Sequence, residues 1–189
     1  MILPIVAYGD PVLKQVAADI PKDEPNLNDL IANMFETMYN AKGVGLAAPQ
    51  IGRSIRLFIV DASPFAEDKK HLEMKNFIKI FINAKVVEEE GKEWSFNEGC
   101  LSIPTIREDI YRQPKIRIQY YDKDFNFNDE TYEGLGARVI QHEYDHIDGI
   151  LFTDHLNAFK RRLLKGKLNN ISKGLVDVDY KMKFPIRKK

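Results

Sequence analysis

The stretch His142-Glu143-Tyr144-Asp145-His146 places two imidazoles four residues apart with a carboxylate between them. On a helix, positions i and i+4 stand about 5–6 Å apart on one side, so both rings reach a single cation. Glu143 sits about 100° around the axis, where it reaches a water on that cation without entering the ligand shell. Metal-assisted hydrolysis needs this set: the cation makes a water acidic near neutral pH and the carboxylate takes its proton. In a chain of 189 residues with 4 His and 13 Glu, chance alone produces the pattern roughly 0.006 times. Two plainer roles compete. The histidines would serve as hydrogen-bonded core residues, or as half of a closed structural site, which needs a fourth protein ligand and has no use for the intervening glutamate.

Two imidazoles alone hold a metal weakly, so a third ligand is expected. His155 lies beyond Gly149, in the first turn of the next expected helix. Cys100, the one cysteine, stands within Glu98-Gly99-Cys100-Leu101-Ser102, just after an expected strand where backbone approaches closely. A thiolate is a strong, soft ligand, which makes Cys100 the better candidate.

The elements that must position these groups are readable from periodicity. The motif falls in a helix over 135–147, with Leu135, Val139, His142 and His146 on one face and Gly149 as its exit. A second helix over 28–40 carries Leu30, Ile31, Met34, Phe35 and Met38, with Asn26 or Asn28 as cap and Gly43-Val44-Gly45 ending it. A third, over 154–168, is expected to bury Leu156, Phe159, Leu163 and Leu164 and to expose Lys160, Arg161, Arg162 and Lys165. Strands are expected at 55–60, 77–87, 93–96, 115–121 and 125–132, with a tight turn at Asp122-Lys123-Asp124 and a polar surface excursion at 62–76. Strands gathered before and between helices, without a βαβ rhythm, predict an α+β fold of mainly antiparallel sheet in one domain, a central metal-binding helix and a C-terminal helix.

Composition sets outer bounds. Hydrophobic residues at 44% and charged residues at 30% describe a globular chain rather than a disordered one. No apolar run approaches the about 20 residues of a membrane helix, and the N-terminus has no basic leader. A lone cysteine excludes an internal disulfide framework and fits a cytoplasmic setting. Residues 160–189 carry 11 Lys and Arg against two Asp, whereas the first 159 residues carry 17 basic and 26 acidic side chains. Such a basic end is expected either to meet a polyanion or to stand solvated away from the core.

Three blocks can now be taken together: Gly43-Val44-Gly45-Leu46-Ala47-Ala48-Pro49-Gln50, Glu98-Gly99-Cys100-Leu101-Ser102 and Gln141-His142-Glu143-Tyr144-Asp145-His146-Ile147-Asp148-Gly149. In order and spacing they resemble the signature motifs of the peptide deformylase family, and the resemblance covers roughly residues 5–165. It implies a metal-dependent enzyme that removes the N-formyl group from the initiator methionine of nascent polypeptides and releases formate. It also implies metal ligands Cys100, His142 and His146, a metal-bound water as nucleophile, and Glu143 as general base and acid. The usual cation is Fe2+, with Ni2+, Co2+ or Zn2+ able to replace it. The resemblance further assigns oxyanion donors to the Gln50 amide and the Leu101 backbone N–H. A methionine pocket falls on Val44, Phe96, Leu135 and Val139, with Gly43 and Gly45 letting backbone line the reacting centre and Gly45 bonding the substrate peptide. The expected organisation is a catalytic domain over 1–170 and a basic tail over 171–189, the tail matching no motif and offering a possible ribosome contact. The rivals are a zinc endopeptidase using the same helix and a non-catalytic RNA- or ribosome-binding protein.

Overall fold

Alternation decides the faces of the central sheet. In the strand Lys115–Tyr121, Ile116, Ile118 and Tyr120 are buried while Arg117 and Tyr121 are exposed, the period of a half-buried antiparallel strand. Leu57–Asp61 is buried along its whole length because it has apolar neighbours on both sides. Phe58 and Val60 join one core cluster with Ala137, Ile140 and Ile147, and Leu57 and Ile59 join another with Ile31, Met34 and Met38. The sheet is therefore covered by a helix on each face.

This computed structural model describes residues 1–185. In chain order the elements are β1 (Ile5–Val6), α1 (Leu27–Asn40), β2 (Gly45–Ala47), β3 (Leu57–Asp61), β4 (Ile78–Glu90), β5 (Trp94–Cys100), β6 (Ile103–Arg112), β7 (Lys115–Tyr121), β8 (Phe127–Glu133), α2 (Gly134–Ile147), α3 (Ala158–Ser172) and β9 (Met182–Lys183). An antiparallel five-stranded sheet runs β2-β3-β4-β7-β8, β5 and β6 form a separate antiparallel pair, and β1 pairs with β9 in parallel. The result is one α+β domain with α2 at its centre and α3 at its C-terminal end, as the pattern predicts.

Several local expectations are corrected. The exit from α1 is made by Lys42, at φ 55°, with the Gly43 N–H donating to the Met38 carbonyl, so the glycines that follow do not end the helix. The strand expected at 93–96 continues to Cys100, and its partner β6 is new. Pairing slips between Gly99 and Cys100, whose partners are Arg107 and Ile103, and Pro104-Thr105-Ile106 bulges out opposite, with Thr105 at φ 67°. A bulge bends a strand and re-aims side chains, and this one turns Cys100 toward α2. In α3, Phe159 and Leu163 are 70% and 65% exposed. That helix begins at Ala158 rather than 154, so its inner stripe is Leu164, Leu168 and Ile171. The excursion at 62–76 is two 3-10 turns that bury Met74 and pack Phe65 against the core, so it is more than surface. The chain beyond α3 returns to the body, where the Ile5 N–H donates to Lys181 and the Ala7 N–H to Lys183. Residues 186–189, the end of the expected basic tail, lie outside the described residues.

Candidate metal centre

On α2, Val139, His142 and His146 face the β5–β6 pair, and the three atoms offered by Cys100, His142 and His146 lie within 4.8 Å of one another. Cys100 Sγ is 3.3 Å from His146 Nε2. His142 points its Nδ1 at Glu98 Oε2, 2.9 Å away, which leaves the other ring nitrogen for the shared point. Glu98 is the hub of a buried network. It accepts from Arg112 through Nε at 2.8 Å and Nη2 at 3.0 Å, and from Arg138 Nη1 at 2.9 Å. Arg112 in turn donates to Asp145 at 2.8 Å. Burial acts to raise the Glu98 pKa, but the hydrogen bonds and charges of His142 and Arg112 outweigh it and hold the carboxyl well below the usual carboxylate range. An ionised Glu98 fixes the tautomer and direction of the His142 ring, as partners of ligating histidines do.

The donor set fits a divalent transition ion. Thiolate and imidazole suit iron, nickel, cobalt and zinc, and three protein donors leave a coordination position for a reactant. Burial opposes thiolate formation, yet the charges and hydrogen bonds of His146 and His142 bring the Cys100 pKa down to about 5. Glu143 is buried beside them, and its Oε2 has no hydrogen-bond partner among the described residues. Burial pushes its carboxyl up to about 7 against the pull of His142 and His146, a range in which a carboxyl both accepts and returns a proton. His155 is spent elsewhere. Its Nε2 lies 2.7 Å from Asp145 Oδ2, away from the cluster.

The cluster opens into a cleft of about 1030 Å³ lined by Val44, Phe65, Phe96, Leu101, Val139 and Glu143, among others. Gln50 sits on a 3-10 turn with its Oε1 accepting from the Ala47 N–H at 2.9 Å. That bond orients the amide, so Nε2 faces Cys100 Sγ at 3.3 Å and Ser102 Oγ at 3.4 Å. The glycines matter here by close approach. A Cβ on Gly45 would stand 2.4 Å from Glu143 Oε1, and one on Gly43 would stand 2.8 Å from Leu101 Cδ1. Of the expected methionine-pocket residues, Val44, Phe96 and Val139 line the cleft. Leu135, at the start of α2, is not among the residues that line the cleft, although it shares a core cluster with Val139.

The motifs and periodicities assign no role to Glu98, Arg138, Arg112, Phe65 or Tyr180. Arg138 is 1% exposed, bonded to Glu98 and stacked over Trp94 with 4.5 Å to the ring centroid. A charge on the His142 face of α2 requires a buried counter-ion, and that was the available signal. Arg112 and Phe65 had none, one because β6 went unseen and the other because its segment is irregular. Phe65 meets Phe96 edge-on at 6.4 Å between ring centroids. Tyr180, from the chain beyond α3, also lines the cleft.

The profile of the polypeptide deformylase family matches residues 2–162. A peptide deformylase of Christiangramia forsetii is 59% identical, the match covering 100% of this chain and 99% of that one. One of Flavobacterium johnsoniae is 57% identical over the same shares. Among solved structures, a peptide deformylase from Legionella pneumophila superposes with a TM-score of 0.77 at 38% identity, covering 90% of this chain and 95% of that one. One from Thermotoga maritima gives 0.74 at 37% identity, covering 83% and 99%.

Proposed function

The chain belongs to the polypeptide deformylase family, metal-dependent enzymes that remove the N-formyl group from nascent peptides, and we propose that Cys100, His142 and His146 hold its cation while Glu143 moves the protons. Family membership sets aside the endopeptidase and the non-catalytic RNA-binding readings. The observation that carries the assignment is the approach of one thiol and two imidazoles to within 4.8 Å at the foot of an open cleft, beside a buried and unpartnered carboxylate oxygen.

A cation in that cradle supplies Lewis acidity, bringing the pKa of a water toward about 7 and drawing electron density from the formyl oxygen. The remaining work falls to side chains of the protein. Glu143 Oε2 accepts the proton of the attacking water as its oxygen bonds to the formyl carbon, then returns it to the methionine nitrogen as the C–N bond breaks. Formic acid, which ionises to formate at neutral pH, and a free α-amine leave. Negative charge gathers on the formyl oxygen in between, and the Gln50 Nε2–H and the Leu101 backbone N–H receive it. One such donor is worth about 3–4 kcal/mol. Val44, Phe96 and Val139, with Phe65 beside them, take the methionine side chain, and the absence of a side chain on Gly45 brings the substrate backbone against Glu143. The resident ion we assign as Fe2+, the usual cation of the family the chain resembles; the thiolate and imidazole donors suit it, as they suit Ni2+, Co2+ and Zn2+. The exposed basic face of α3, Arg161, Arg162 and Lys165, supports contact with ribosomal RNA, which salt-dependent co-sedimentation tests.

The deciding experiment is anaerobic purification, metal analysis, and formate release from formyl-Met-Ala-Ser beside an unblocked protein substrate. The expected result is one divalent ion per chain, formate production and an intact protein substrate. Cleavage of internal bonds without formate would overturn the assignment.

A further inference from the structure

Leu101 and Ser102 form the turn between Cys100, the last residue of β5, and the bulged start of β6, and each of these three residues is held from outside the pair. Gln50 reaches Cys100 Sγ and Ser102 Oγ. The Tyr8 N–H donates to the Ser102 carbonyl at 2.8 Å. The Leu101 carbonyl accepts from the Tyr180 hydroxyl, also at 2.8 Å, across a separation of 79 residues.

Tyr180 belongs to a strap that matches none of the sequence motifs. After α3 the chain turns at Gly174, φ 70°, and Asp177, Val178, Asp179 and Tyr180 run along the cleft. It is tied down on both sides of the tyrosine, by an ion pair of Asp179 with Lys42 at 2.6 Å and by the pairing of β9 with β1. The exposed ion pair contributes little. The β9 pairing and the packing of Tyr180 and Met182 against the cluster of Ile5 and Leu46 hold the ring in place.

We propose that Tyr180 is a positioning residue for deformylation: its hydroxyl, delivered by the C-terminal strap, fixes the Leu101 turn so that the Leu101 N–H meets the developing oxyanion. The inference rests on the assignment of Leu101 as an oxyanion donor. A carbonyl released from Tyr180 turns to solvent in the cleft and takes the neighbouring peptide planes with it. Oxyanion donors act only when already aimed, so a small swing costs rate rather than substrate binding. The strap is then part of the catalytic apparatus of this chain, although none of its residues touches the reacting atoms.

The test is Tyr180→Phe in the full-length, metal-loaded enzyme, with kcat, KM, bound metal and melting temperature measured together. The phenyl ring keeps the packing and removes only the hydroxyl. The expected result is a loss of roughly 5- to 30-fold in kcat on formyl-Met-Ala-Ser, with KM within twofold, metal content unchanged and Tm within about 2 °C. A second variant, Tyr180→Leu, removes the same hydrogen bond with a different packing loss and is expected to show the same kcat defect at a lower Tm. Wild-type kcat in Tyr180→Phe overturns the inference and leaves the deformylase assignment standing. A kcat loss in Tyr180→Phe accompanied by a fall in metal content or Tm, or a kcat loss in Tyr180→Leu that exceeds that of Tyr180→Phe in step with its lower Tm, overturns it too, because the tyrosine would then merely support the fold. A wild-type enzyme that releases no formate defeats both.

Discussion

Replacing Gly45 with alanine tests the site at its tightest point. The added Cβ would lie 2.4 Å from Glu143 Oε1 and 2.7 Å from both Cδ and Cγ, where ordinary contact begins at 3.4 Å. About 1 Å of clearance is missing. Strand β2 cannot withdraw to supply it, because Gly45 is paired with Val60 in the central sheet. Helix α2 cannot either, because its Ala137 and Ile140 are locked against β3 and β4. The clash includes Cγ, so rotating the carboxylate about its last bond does not relieve it, and Glu143 must leave its rotamer. Overpacking of this kind costs about 1–3 kcal/mol, or roughly 2–12 °C in Tm at this chain length. A general base displaced by about 1 Å costs about 10²-fold in rate. Formate release from formyl-Met-Ala-Ser, followed with formate dehydrogenase, should therefore fall about 100-fold in kcat while bound metal is retained, since Gly45 touches no ligand. Gly43→Ala is the internal contrast. Its Cβ would meet Leu101 Cδ1, the movable end of a leucine, at 2.8 Å, and less than about tenfold is expected to be lost. Gly45→Ala with kcat within threefold of wild type, or Gly43→Ala as damaging as Gly45→Ala, would refute the placement of Glu143 as the proton carrier pressed against β2.

Glu143→Ala is expected to keep its metal, measured by elemental analysis, and to lose at least about 10²–10⁴-fold in formate release, the usual share of acid–base transfer. Cys100→Ser should bind the cation far more weakly at pH 7, because an alkoxide is a poor substitute for a thiolate. Unchanged metal content in equilibrium dialysis would remove Cys100 from the ligand set. Glu98→Gln leaves Arg112 and Arg138 short of a buried countercharge, and urea melts should show a loss of about 3 kcal/mol. The same variant frees the His142 ring, so metal affinity should fall by about 10–100-fold; wild-type affinity would show that Glu98 serves the fold alone.

The sequence spelled out what depends on spacing along one element and hid what depends on how elements meet. Helix α2 was readable because a period near 3.6 places Val139, His142 and His146 on one side whatever surrounds them. Strand β7 was readable because one of its faces meets water. Strand β6 was hard to read for a physical reason: Pro104 and the bulge at Thr105 set Ile106 three residues after Ile103, which breaks the alternation, and beyond the bulge the inward positions Ile106, Glu108, Ile110 and Arg112 are half charged, so no apolar period marks them. Losing β6 meant losing Arg112, and with it the network that holds Glu98 ionised behind His142. Phe159 and Leu163 misled because their spacing is helical, whereas burial in α3 is set by where β6 lies beneath it. Glycine was the subtlest case. A helix exit explains Gly43 by backbone freedom, yet the exit falls on Lys42, and Gly43 and Gly45 are small because Leu101 and Glu143 press on them from elements far away in the chain. The strap shows the same division. Nothing local marks Tyr180, and only the return of β9 to β1 brings it to the Leu101 carbonyl. The donors of this site are therefore written in motifs, while their aim is written in contacts between segments that carry none.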